Sequence, residues 1–67
     1  MRHVILTPID DGGWLATVPS LPGCRTEGDS KEEALELIKE AVALYIETLQ
    51  ELGREVPEDE NIELATI

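Results

Sequence analysis

Apolar residues change their rhythm midway along this 67-residue chain. His3 to Ile9, rich in Val4, Ile5, Leu6 and Ile9, reads as a strand. Asp10-Asp11-Gly12-Gly13 follows as a turn, and Asp-Gly is a strong hairpin signal because both residues tolerate positive φ. Trp14 to Val18 returns as a second strand, with Trp14, Ala16 and Val18 on one face and Leu15 and Thr17 on the other. Pro19 and Pro22 frame a short loop, since neither proline can donate to a sheet ladder. Cys24 to Glu27 reads as a short third strand ahead of Gly28.

From Ser30 the spacing becomes helical. Ser30 and Glu33 form a Ser-x-x-Glu capping box, in which the serine oxygen takes the N–H near Glu33 and the glutamate reaches back to Ser30. Glu32 and Glu33 suit the positive end of the helix dipole. Gly53 stops the helix, with Pro57 a little beyond. At about 100° per residue, Ala34, Leu35, Leu37, Ile38, Ala41, Val42, Leu44, Tyr45, Ile46, Leu49 and Leu52 share one side. That arc spans roughly 200°, about twice what a helix needs to lie on one sheet. A small sheet covers one flank, leaving either Leu37 and Leu44 or Leu35 and Ile46 for a second surface. Another copy of the chain is the simplest cover, giving a dimer or tetramer, and the chain's own tail is the alternative.

In that tail, Glu58-Asp59-Glu60-Asn61 is too charged to bury, and Ile62, Leu64 and Thr66 alternate with Glu63, Ala65 and Ile67. The alternation predicts a last, half-buried strand over 62–67. The order β-β-β-α-β makes the expected class α+β, with residues 1–67 as one domain.

Size sharpens the case for association. A core in a chain this short rarely yields more than about 3–5 kcal/mol unaided. Cys24 has no second cysteine to bond, and His3 with Cys24 falls short of the four ligands of a structural zinc site. The lone cysteine fits a reducing compartment. No secretory leader is recognisable and no apolar run approaches the roughly 20 residues of a membrane span, so the expected location is the cytoplasm.

Charge then narrows the partner. Fifteen acidic residues against five basic ones give a net charge of −10. Residues 1–26 are neutral, so the helix and tail carry the imbalance. Such a surface repels phosphate backbones and attracts basic proteins, although a solvated acidic face also serves solubility alone.

Catalytic chemistry has little to work with. His3 is the only imidazole and sits at a strand start, where a partly exposed structural role suits it better than general-base work. Cys24 lies beside Arg25, but a nucleophile also needs a positioned base, and packing is the better role. Asp10 and Asp11 are explained by their turn and lack the spaced ligands of a calcium loop. No catalytic, metal or cofactor residue is therefore assigned. Glutamates at 32, 36, 40, 47 and 51 make a stripe with like-charge i,i+4 pairs, each costing a few tenths of a kcal/mol.

Taken in order, Asp11-Gly12-Gly13-Trp14, Val18-Pro19-Ser20-Leu21-Pro22-Gly23-Cys24, Gly28-Asp29-Ser30 followed by Glu32-Glu33-Ala34, and Gly53 with Val56-Pro57 resemble the HicB family. The resemblance runs from about residue 3 to 57. It implies a partly degraded RNase H-like fold of three antiparallel strands, a long helix and a final strand. RNase H enzymes carry metal-binding carboxylates on the sheet, whereas His3 to Ile9 offers none, which implies a non-catalytic role. Family members commonly neutralise HicA, a small basic toxin that cleaves mRNA, by covering its RNA-binding face. Full-length members usually add a C-terminal DNA-binding module. The ten residues after Pro57 are too few for one, so direct operator binding is not expected.

Two readings follow. In the first, the chain is an antitoxin-like module docking a HicA-like basic toxin through Glu36, Glu40, Glu47 and Glu51, with Trp14 as an aromatic anchor. In the second, it is a structural or regulatory oligomer without a toxin, held through Leu37 and Leu44 or Leu35 and Ile46.

Overall fold

In the computed structural model, residues 2–59, 63, 65 and 66 are described. Strands β1 (Ile5–Pro8), β2 (Trp14–Thr17) and β3 (Arg25–Gly28) are followed by one long helix, α1 (Lys31–Glu51). The class is α+β, as the change of apolar spacing predicts. The strands form an antiparallel sheet in the order β1-β2-β3. The expected last strand over 62–67 falls largely outside the described residues, and Glu63, Ala65 and Thr66 are not in a strand.

Each turn has a local cause. Asp11 accepts the Gly13 N–H through Oδ1 at 3.1 Å, and Gly12, at φ +91°, donates to the Ile9 carbonyl. This Asx-type turn returns the chain so that Leu6 faces Ala16 and Pro8 faces Trp14. Across the next strand, Ala16 pairs with Thr26 and Trp14 with Gly28. Directly opposed residues share a face, so the row through Ala16 looks towards the helix.

The Pro-Ser-Leu-Pro-Gly loop is a packing device. Leu21 N–H donates to the Val18 carbonyl and Cys24 N–H to the Leu21 carbonyl, two linked turns that drive Leu21 inward. Leu21 is fully buried, and such burial contributes roughly 2–3 kcal/mol. The Tyr45 hydroxyl donates to the Pro22 carbonyl at 2.8 Å, tying the helix to the same loop. The core consists of Ala16, Val18, Leu21, Cys24, Ala34 and Ile38.

Both helix ends follow the sequence, with one change. Ser30 is the N-cap, in extended conformation, and its hydroxyl accepts the Glu33 N–H at 3.1 Å. Glu33 reaches back to the N–H of Asp29, at 3.2 Å, one residue earlier than the standard box predicts. At the other end Gly53 N–H donates to Gln50 and Arg54 N–H to Leu49. This is a Schellman stop, and Gly53 at φ +70° supplies the left-handed residue it requires.

The helix lies closely over β3. A Cβ placed on Gly28 would stand 2.6 Å from the Ala34 nitrogen, so only glycine lets the strand pass beneath the first turn. The Thr26 hydroxyl adds a bond to the Ala34 carbonyl at 3.1 Å.

Candidate protein-binding face

The side of α1 away from the sheet carries Glu36, Glu40, Glu47 and Glu51, all exposed. Glu36 is paired with Lys39 at 3.2 Å, one turn along. The others have no salt bridge among the described residues. The last turn holds no basic residue, so Glu47 and Glu51 sit at the helix end where the dipole disfavours negative charge. Of these carboxylates only Glu36 gains the helix a pairing, and the dipole works against Glu47 and Glu51.

Beside the stripe the apolar arc divides. Leu35 and Ile46 are partly buried against the core. Leu37 is 38% exposed and Leu44 is 65% exposed. The two flanks differ because the sheet extends under only one of them. Ala41, Leu44, Tyr45 and Thr48 line a shallow groove of about 300 Å³ with Gly23, Cys24 and Arg25, so the Leu44 flank overhangs the start of β3. β3 is an edge of the sheet, and among the described residues no strand lies beyond it.

Trp14, the expected anchor, is half-buried against the core, and the Lys31 ammonium stands 4.7 Å from its ring centroid. Its free surface is smaller than an exposed strand tryptophan would offer. This cation–π contact joins residues far apart in sequence and has no local signal.

The chemically versatile side chains are otherwise engaged. Cys24 is buried, and burial pushes its thiol pKa up, away from the reactive thiolate. The His3 ring Nδ1 meets the Asp59 carboxylate, and the His3 backbone N–H donates to the same carboxylate at 2.9 Å. Desolvation opposes the charged form of Asp59, but the bonds from His3 outweigh it and lower the carboxyl pKa below the usual aspartate range. A second depression of about 230 Å³ is lined by Asp11, Glu27, Asp29 and Glu33, yet Asp11 and Glu33 already accept backbone N–H groups there. Among the described residues, no group of three or more His, Cys, Asp or Glu side chains is placed to hold a metal ion. Among the same residues, no helix is long and apolar enough to cross a membrane.

Residues 3–66 match the family described as the HicB-like antitoxin of bacterial toxin–antitoxin systems. The chain belongs to the HicB-like antitoxin family. It is 47% identical over 64 residues to a UPF0150 protein of Thermoplasma acidophilum, covering 96% of this chain and 91% of that one. A UPF0150 protein of Synechocystis is 44% identical over 59 residues, covering 88% of this chain and 75% of the relative. Antitoxin HicB 1 of Photorhabdus laumondii is 36% identical over 58 residues, which are 85% of this chain and 37% of that longer protein. Within this HicB-like domain, the Val18–Cys24 motif forms the two linked turns that bury Leu21, and the Gly28–Ala34 motif forms the close crossing and helix cap. These residues build the fold, and the charged stripe is carried on top of it.

Proposed function

We propose that this chain is a toxin-neutralising domain that masks a small, basic, HicA-like mRNA-cleaving toxin in the cytoplasm, and that it performs no catalysis itself. The observation that carries the proposal is the exposed row Glu36, Glu40, Glu47 and Glu51 running beside the exposed Leu44. Carboxylates steer a cationic partner and set its register, while an adjoining leucine supplies apolar contact. Carboxylates that cost the helix a little stability are accounted for if they serve a partner. Trp14 contributes at most its uncovered edge to this face. The RNase H-like ancestry and the absence of direct nucleic-acid binding belong to the same reading, since an acidic face repels phosphate.

The reading is tested by co-expression with a small basic HicA-like toxin. Cells arrested by that protein should resume growth with the wild-type chain, and should stay arrested with Glu40→Lys/Glu47→Lys at equal soluble level. Continued arrest with the wild-type chain would refute the proposal.

A second reading, an oligomer without a toxin, draws on Leu37 and Leu44. Leucines exposed in this way on a small chain favour cover by another protein surface.

A further inference from the structure

The backbone parity of the sheet leaves one strand open. Val18 N–H donates to the directly opposite Cys24 carbonyl at 3.1 Å. In an antiparallel ladder such bonded pairs alternate with unbonded ones, so Cys24, Thr26 and Gly28 point their N–H and C=O groups at β2. Arg25 and Glu27 therefore point theirs away from the sheet, along the free edge of β3. The opposite edge is the poorer template by the same parity. Ile9 N–H donates to Gly13, which turns Leu6 and Pro8 outward on β1, and Pro8 has no N–H to offer there. A natural edge is usually blunted by proline, a bulge or charged side chains, and charges of one sign repel those of a second copy placed opposite. β3 instead presents one positive and one negative side chain, both exposed, on the sheet face away from the helix. Neither forms an ion pair among the described residues.

This pattern is complementary to itself. When two β3 strands meet antiparallel about a twofold axis through Thr26, Arg25 of each copy lies directly opposite Glu27 of the other. The same register places the outward N–H and C=O groups of Arg25 and Glu27 in bonding positions. It also brings the overhanging flank of α1 towards its own copy. The Thr26–Ala34 bond sets the first turns of the helix over the middle of β3, so Leu37, one turn on, comes close to the axis. The chain is strongly acidic as a whole, and Asp29 and Glu33 lie near Glu27, so Arg25 is the charge at this edge that offsets repulsion between copies.

We propose that two copies of this chain pair through β3 into one continuous antiparallel sheet with both helices on one face, locked by reciprocal Arg25–Glu27 contacts and covered by Leu37. The proposal deepens the oligomer reading and requires no toxin. The test is sedimentation equilibrium of the full chain from micromolar to millimolar concentration, with circular dichroism melts to confirm folding. Arg25→Glu and Glu27→Arg each make both cross-strand contacts repulsive, and each should weaken dimerisation about tenfold. The double variant R25E/E27R restores opposite charges in both contacts and should return to within about threefold of wild type. A wild-type chain that stays monomeric at millimolar concentration would overturn the proposal. Oligomers indifferent to the single reversals, or a double variant that fails to recover, would overturn the β3 pairing while leaving an oligomer through another surface intact. Failure of toxin rescue with the dimer unchanged would strike only the toxin reading.

Discussion

Leu37 and Ile38 are adjacent in sequence and opposite in circumstance. Ile38 has no exposed surface, while Leu37 is 38% exposed, and Leu44 further along the same flank reaches 65%. Both positions lie within one apolar arc, so hydrophobicity does not separate them. Position over the sheet does: Ile38 faces the core formed with Ala16 and Leu21, whereas the Leu37–Leu44 flank passes beyond the edge strand. One side of α1 holds the domain together, and the other is available for association. The same division separates the core residues from the glutamates, of which only Glu36 has a partner on the helix, Lys39.

The largest expected effect lies on the buried side. Ile38→Ala should cost about 3 kcal/mol, because it removes transfer energy and leaves a cavity in a tightly packed site. Leu44→Ala, measured in the same urea titration on dilute monomer, should stay within about 0.5 kcal/mol of wild type. Equal losses at the two positions would break the distinction between the flanks. Next in size, Gly28→Ala should cost about 2 kcal/mol, since the new methyl meets backbone at the β3–α1 crossing. Unchanged thermal melting would show that helix and strand can separate there freely. Ser30→Ala should cost about 1 kcal/mol through loss of the cap to Glu33, read as a lowered melting temperature.

The smallest effect concerns the His3–Asp59 link. The folded pKa of Asp59 is lowered, so its contribution is complete above the ordinary value of 3.8 and is lost as pH falls through the lower folded value. Wild type should therefore lose stability over that acid range more steeply than Asp59→Asn, which binds no proton there. Parallel acid titrations followed by circular dichroism would reveal the difference, and coincident curves would deny the link any energetic role.

What the sequence made legible is mainly what is decided locally. The Asp11-Gly12 turn, the Ser30 cap and the Gly53 stop each depend on a few neighbouring residues, and each forms where the pattern predicts. Strand ends shift by one or two residues, with β1 starting at Ile5 and β3 running from Arg25 to Gly28. Which helix flank meets the sheet was not legible. An apolar arc of roughly 200° offers both flanks equally, and only the lateral position of the helix over β3 chooses between them. The Lys31–Trp14 contact and the His3–Asp59 bond were hidden for a similar reason, because they join residues brought together only by folding. For the acidic stripe, spacing fixed its side of the helix, and its partner is not encoded in spacing at all.

The central claim is that the outer, acidic side of α1 serves recognition and is dispensable for folding. Its most direct test is affinity capture of a small basic HicA-like toxin by wild-type chain and by Glu40→Lys/Glu47→Lys, with thermal melts of both. The account predicts capture by wild type, weakening as salt is raised, and loss of capture by the variant at an unchanged melting temperature. Equal capture by both chains, or a variant that binds poorly only because it has unfolded, would contradict it.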